Sequence, residues 1–590
     1  MATPRIIVVG GGLAGLSAVI KIAEAGGTVD LFSIVPVKRS HSVCAQGGIN
    51  AAKNLKGEGD TTYKHFDDTI YGGDFLANQT PVKAMCEAAP AIIDLLDRMG
   101  VPFNRTPEGL LDFRRFGGTL YNRTAFAGAT TGQQLLYALD EQVRRYESEG
   151  KVTKYEGWEF LSAVLDSKGV ARGITALDLR TMELRSFAAD AIILATGGIG
   201  AIFGKSTNSV VCTGSAQSAV FQQGVTYANG EFIQVHPTCI PGEDKLRLMS
   251  ESARGEGGRV WVPRNPSDKR AGKQIPEAER FYFLEEWYPK YGNLVPRDIA
   301  TRAIHKVVYE NHLGIDGQPM VYLDLTHIDR ATLDRKLGGI LDIYEKFVGD
   351  DPHDVPMKIF PGVHYTMGGL WVDFNQMTNI PGLFAIGECE YQYHGANRLG
   401  ANSLLSCIYA GFISGPNALS YSKNAAAQDG DGGHAAEVTR QAAINAKLLK
   451  NEGAENPFKL WRELGDTMTK HATVIRYNKG LKQADEKIVE LLDRYKNVSL
   501  ADRSQWANTS FAFARQLKNM LELARVIAQG ATLRDESRGA HYKPDFPERN
   551  DERFLKTTKA SFTDSGPRFE YEEVDTQFIK PRPRRYDAAN

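Results

Sequence analysis

Apolar and polar positions follow two rhythms along this chain. Ile6 to Val9 form an unbroken apolar run, followed by Gly10, Gly11, Gly12 and Gly15, apolar residues at helical spacing, and a second run, TVDLFS. Such a run suits a parallel strand covered on both faces, so the segment predicts strand, glycine turn, helix and strand, one βαβ unit. Helical periodicity dominates residues 61–150, where the stretch from Ala91 to Met99 stops at Gly100, a helix-ending residue. Short strands and turns alternate over 152–195, and the last strand, DAIILATGG, returns to the first unit. Residues 236–361 change to long loops, prolines and scattered short helices, after which GLFAIGE resumes the sheet, the pattern of an inserted domain. Residues 424–434, rich in Ala, Gly and Asp, read as a linker. Beyond it Leu517, Leu521, Ala524 and Ala528 share one helical face, and the stretch after Arg538 is charged, proline-bearing and without core periodicity.

The 590 residues exceed what a single core organises and imply at least three structural units. With 70 basic and 71 acidic residues the net charge is -1, which removes the electrostatic reason to bind nucleic acid. The six cysteines, Cys44, Cys86, Cys212, Cys239, Cys389 and Cys407, form no CxxC pair for zinc or an iron-sulfur cluster and fit free thiols in a reducing compartment. The first apolar stretch is interrupted by glycines, unlike a signal peptide, and no apolar run is long enough to span a bilayer. Any membrane is met through a partner.

Gly10, Gly12 and Gly15 make GxGxxG between a strand and a helix, where the backbone can approach a pyrophosphate and the helix N-terminus stabilises its charge. The acidic residue that usually holds the ribose is missing, because the second strand ends at Ser33, whose hydroxyl is a weaker substitute. Two further glycine turns, Ala195-Thr196-Gly197-Gly198 and Ile386-Gly387-Glu388, favour the longer cofactor FAD. Loops in or beside the insert carry His236, Ser250-Glu251-Ser252-Ala253-Arg254, Arg297, His364 and Arg398. Guanidinium groups grip carboxylates through paired hydrogen bonds, so this set suits a compact dianion.

These motifs, with Arg39-Ser40-His41-Ser42-Val43-Cys44-Ala45-Gln46-Gly47-Gly48 as the most specific, resemble the flavoprotein subunits of succinate dehydrogenase and fumarate reductase from about Arg5 to Asp551. The resemblance implies an α/β fold: a Rossmann-like FAD-binding domain (1–235 and 362–430), an inserted capping domain (236–361), a helical domain (435–540) and an extended tail (541–590). It makes His41 the residue bonded covalently to the flavin, which raises the flavin potential enough for succinate, a weak reductant. It assigns Leu13, Ala14, Ser40, Ser42, Gln46, Gly47, Gly48, Thr196, Gly197, Glu388, Ser403 and Leu404, with the glycines, Ala195 and Ser33 above, to the cofactor. It places His236, Ser250, His364, Arg398 and Phe116 on the dicarboxylate, and makes Arg297 the proton-transfer group with Glu251 and Arg254 as its relay. Succinate would then give a proton to Arg297 and a hydride to the flavin. As a base at pH 7 an arginine costs roughly 7.5 kcal/mol, from a pKa of about 12.5, and a neighbouring cation and a dry site lower that cost.

The implied partners are an iron-sulfur subunit and a membrane-anchor cytochrome b with quinone, holding the chain at the cytoplasmic face of a bacterial membrane. The wording YLDLTHID, LGGILDIYEKF and MKIFPGVHYTMGG looks more like the menaquinone-linked type. Ser250 stands where many relatives have threonine and keeps the hydroxyl, whereas Ser215 replaces an aspartate that touches the flavin in many relatives. Residues 538–541, Arg-Gly-Ala-His, and 545–547, Asp-Phe-Pro, also match the family, and Lys580 to Arg585 read as a solvated or partner-wrapped extension. The helical region reads equally as a packing module or a docking surface. Fumarate reductase running in reverse and L-aspartate oxidase, which holds FAD without a covalent bond, are alternatives on the same scaffold. A flavin-containing binding or RNA-modification protein is a third, opposed by the balanced charge and the cationic loops.

Overall fold

A computed structural model describes residues 4–240, 242, 246–425 and 432–586. The opening apolar run forms strand Arg5–Val9, paired in parallel on one side with Thr28–Ser33 and on the other with Ala191–Leu194. Leu383–Ala385 and Val152–Glu156 extend this sheet to five parallel strands. Ile6, Ile7 and Val8 have no solvent exposure, as expected of a strand covered on both faces. The helix after the glycine turn, Leu13–Glu24, lies against helix Asn402–Asn424. A Cβ on Gly411 would sit 2.5 Å from the Ala14 carbonyl oxygen, so only glycine permits this approach of the two helix backbones.

Residues 236–361 are more regular than their loop-like composition suggests. A six-stranded sheet runs in the order Arg247–Leu248, Ile233–Ile240, Met357–Thr366, Val321–Asp324, Arg259–Pro263, Arg280–Phe281. Four of these strands have only two to five residues, too short for alternation to show in the sequence. Helix Arg330–Val348 buries Leu333, Leu337, Leu341 and Tyr344 in a core shared with Val260, Leu323 and Ile359. The two long strands pass through positions 236 and 361, so the chain enters and leaves the cap along one antiparallel pair.

Helices His434–Lys450, Pro457–His471, Asn478–Tyr495 and Thr509–Leu533 follow. The expected face, Leu517, Leu521, Ala524 and Ala528, is buried in the core that also holds Phe221 and Val225. Of the expected linker, 426–431 lies outside the described residues. No helix among the described residues is long and apolar enough to cross a membrane.

The C-terminal region corrects in part the reading of Lys580 to Arg585 as a solvated or partner-wrapped extension: Lys580, Arg582 and Arg585 are exposed, but the segment is held to this chain's own surface. Strands Lys556–Ser561 and Arg568–Glu573 form a hairpin that joins Tyr227–Ala228, and the chain then runs back over its own surface. Arg582 pairs with Asp67, while Arg584, its side chain 6% exposed, grips Asp298 at 2.5 and 3.0 Å. Charge without periodicity looked like solvent exposure because these aspartates lie hundreds of residues away. Residues 587–590 lie outside the described residues.

Candidate active site

A cavity of about 480 Å³ opens between the parallel sheet and the cap. Its wall includes every residue assigned above to cofactor or substrate except Gly15, together with Glu251 and Arg297. Gly15 acts behind the wall: its Cβ would lie 1.9 Å from the Gly10 carbonyl oxygen, so it lets helix and strand close on each other. Arg254 stands one shell back and reaches the cavity through Glu251.

The cofactor end is built for close backbone approach. Gly10 has φ +120°, and a Cβ there would meet the Ala195 carbonyl oxygen at 2.1 Å, which joins the first two glycine turns into one surface. Gly12 caps helix Leu13–Glu24, and the Leu13 N–H donates to Ser42 Oγ at 3.3 Å. Ser33 Oγ donates to the Val35 carbonyl at 2.6 Å, so toward a ribose it can only accept. The Ser40 hydroxyl, the Gln46 side-chain oxygen and the Thr196 hydroxyl are buried without partners in the wall. Unpaired buried polar atoms in a native wall call for a ligand, and with the glycine cradle this donor and acceptor set fits a dinucleotide. Burial raises the Glu388 carboxyl to about 7, and the Thr366 N–H donates to it at 3.1 Å. His41 starts a single helical turn, His41–Cys44; its ring accepts from the Ser209 N–H at 3.2 Å and lies 3.1 Å from the Asn208 amide. Ser215 lines the same wall, its hydroxyl accepting from Asn519 at 2.8 Å.

At the other end two guanidinium groups meet on one neutral oxygen. Gln234 Oε1 accepts from Arg297 at 2.8 Å and from Arg398 at 2.9 Å. Arg297 is the first residue of helix Arg297–His305, where the helix dipole disfavours a cation. Glu251 compensates, its Oε2 accepting from Arg297 Nε at 2.8 Å while Oε1 accepts from Arg254 at 2.7 Å. Gly117 makes room for that carboxylate, since a Cβ there would lie 2.0 Å from Glu251 Oε1. Burial alone would raise the Glu251 carboxyl, but Arg297 and Arg254 override it and hold it below the ordinary value. Burial, reinforced by Arg297, brings Arg398 down to about 9. The rings of His236 and His364 lie 5.0 Å apart on neighbouring strands, and burial followed by the charge of Arg297 keeps both well below the usual histidine range. His236 Nε2 and Arg398 Nε are buried without partners. Ser250 bonds Ser252 at 2.8 Å, and Phe116 packs under Gly47, where a Cβ would meet its ring at 2.7 Å.

Three buried arginines against the Glu251 carboxylate leave this end of the cavity cationic, the chemistry of a small dicarboxylate site. Gln234 went unnoticed in the sequence, although it stands two residues before His236 on one strand, and i, i+2 spacing puts alternate residues on a common face.

The chain matches the FAD binding domain family over residues 5–404 and the family described as fumarate reductase flavoprotein C-term over 461–586. It is 63% identical to the succinate dehydrogenase flavoprotein subunit of Bacillus subtilis, covering 99% of each chain. A solved Escherichia coli quinol fumarate reductase chain superposes with a TM-score of 0.91 at 32% identity, covering 100% of both. A quinol-fumarate reductase with menaquinol molecules superposes with a TM-score of 0.89 at 32% identity, over 99% of this chain and 100% of that one. A dinucleotide cradle continuous with a cationic pocket, on a chain matched along its whole length, leads to one conclusion: the protein belongs to the family of succinate dehydrogenase and fumarate reductase flavoprotein subunits, FAD-dependent oxidoreductases.

Proposed function

We propose that this chain oxidises succinate to fumarate, with FAD held covalently through His41. Bound FAD supplies the two-electron acceptor. Arg398, His236, His364 and Ser250 hold the two carboxylates, and the partnerless nitrogens of His236 and Arg398 become satisfied. Phe116 closes the floor beside the glycine loop. Arg297 exchanges the proton at the substrate carbon, and Glu251 and Arg254 carry it onward, since consecutive contacts of 2.8 and 2.7 Å link the three. The Asn293 and Val295 carbonyls accept from Arg254 at 2.7 and 3.3 Å and hold its guanidinium in place.

The observation that carries this reading is the shared oxygen of Gln234, which brings two guanidinium groups to one cavity wall, where Glu251 is bonded to Arg297 and Arg254 and Arg398 is left to a neutral oxygen and a backbone carbonyl. Electrons leave to an iron-sulfur partner, and a membrane-anchor cytochrome b subunit links the assembly to quinone at the cytoplasmic face of the membrane. Kinship to quinol-linked enzymes supports that arrangement, and menaquinone is the quinone we infer.

Arg297→Gln and Arg297→Lys should abolish succinate oxidation while the acid-precipitated protein stays yellow. Substantial turnover in either variant overturns the proton-transfer role, and a colourless wild-type pellet overturns the covalent bond.

A further inference from the structure

Resting on the dicarboxylate reading, we propose that Thr207 is a positioning residue, whose hydroxyl fixes His364 as an Nε2–H donor toward the substrate, matching the donor that the Thr238 backbone makes of His236.

The case begins at His236. The Thr238 backbone N–H, which can only donate, points at His236 Nδ1 at 3.2 Å. Nδ1 therefore carries a lone pair, and in a neutral ring the proton resides on Nε2. That nitrogen is fully buried, without a protein partner, in the cavity wall. The Thr238 hydroxyl is occupied elsewhere, donating to the Met249 carbonyl at 2.8 Å.

His364, on the neighbouring strand, has no backbone N–H at its Nδ1 to play this part. Thr207 arrives from a different segment, 157 residues earlier, and puts its hydroxyl 2.7 Å from His364 Nδ1. Two tautomers are conceivable for such a contact, and the surroundings choose between them. If the ring donated, the hydroxyl would need another acceptor, and the nearest is the Val363 carbonyl at 3.4 Å. That is beyond the ordinary O–H···O range of about 2.5–3.0 Å. The same carbonyl already accepts from the Thr207 N–H at 2.9 Å. The hydroxyl proton thus goes to Nδ1, and the ring proton to Nε2. Desolvation and the cations Arg297 and Arg398 keep the ring neutral, so it holds only one proton to place.

Two neutral N–H donors, their ring centres 5.0 Å apart, then belong to the cavity wall that Arg297 and Arg398 also line. A carboxylate accepts from all of them. The opposite tautomer of His364 would turn a lone pair toward it and repel it.

The test uses the holoprotein in its native complex and titrates malonate by calorimetry, which reads binding without turnover. Hydrogen bonds to charged groups are strong enough that Thr207→Val should weaken malonate roughly ten- to a hundredfold. KM for succinate should rise by a similar factor with a smaller change in kcat, and in-gel flavin fluorescence should be unchanged. Thr207→Ser, which keeps the hydroxyl, should restore affinity to within about threefold of wild type by the same reckoning. Should the valine variant fail to carry flavin, Thr207→Ala removes the same hydroxyl without filling the space. Malonate binding by the hydroxyl-free variants within twofold of a wild type that binds it, or a serine variant as weak as valine, overturns the role of Thr207. A wild type that ignores malonate overturns the dicarboxylate reading instead.

Discussion

Replacing Arg584 by alanine should free the C-terminal strap and loosen the active site from outside. Arg584 and Asp298 are 6% and 1% exposed, and Asp298 is next in sequence to Arg297. Burial alone would raise the Asp298 carboxyl, but Arg584 overrides it and holds it below its ordinary value. Removing one partner of such a buried pair costs up to about 3–5 kcal/mol, because the remaining charge stays desolvated, and Arg302, 3.4 Å from Asp298, offsets part of it. At about 1.4 kcal/mol per decade, that predicts amide exchange in residues 574–586 faster by roughly a hundred- to several-thousandfold, read by mass spectrometry. The effect should spread inward along named contacts. Asp298 accepts from Asn397 at 3.1 Å, Asn397 accepts from Gln234 at 2.9 Å, and Gln234 holds both Arg297 and Arg398. KM for succinate should therefore rise in Arg584→Ala, and Arg584→Met with Asp298→Asn should recover part of the lost protection, since the pair's two desolvated charges are then both removed. The pH sign is set by a depressed acid: the pair stabilises above the ordinary carboxylate pKa of about 3.9, and that contribution disappears as pH falls through the lower folded value. The difference between variant and wild type should shrink in acid. Tail exchange within threefold of wild type at neutral pH would refute the argument.

Two other outcomes are expected. Burial raises the Glu390 carboxyl to about 8, and the Gln392 N–H donates to it at 2.5 Å. The folded state binds this proton more tightly than the unfolded one, so the contribution is whole below about pH 4.5 and is lost as pH rises through about 8. Glu390→Gln should gain on wild type across that window, by up to about 5 kcal/mol, in denaturation measured at several pH values; a constant difference would contradict it. Gly10→Ala should yield protein without flavin, because its Cβ would lie 2.1 Å from a backbone oxygen at φ +120°, and the flavin-to-protein absorbance ratio checks this.

Local patterns were the legible part of this protein. Gly10, Gly12 and Gly15 lie within one turn, and their strand and helix announce themselves by period. The candidate histidines and arginines read as loop residues of unusual density; His236 and His364 in fact lie on strands and Arg297 opens a helix, and these three with Arg398 line one cavity while Arg254 stands behind Glu251. What depended on distant pairing was hidden. Arg297 meets a carboxylate 46 residues earlier in the chain, and Thr207 meets His364 across 157. Arg584 could not be told from a solvated cation until Asp298, 286 residues away, was placed beside it. Nothing local in the sequence marks His41 as a point of flavin attachment, and the role proposed for it rests on the family resemblance.

The order of strands in the parallel sheet bears on how the protein is made. Arg5–Val9 leaves the ribosome first, yet one neighbour, Ala191–Leu194, and the next strand beyond it, Leu383–Ala385, come far later, and Ser403 and Leu404 finish the wall. For most of translation the glycine turn is a cradle without its opposite side. Contacts this remote in sequence form slowly and expose apolar edges meanwhile. Capture of the vitamin-derived pigment must then follow synthesis of the segment that carries Ser403 and Leu404, and cells short of riboflavin should accumulate empty chains that extend past it rather than stalled beginnings.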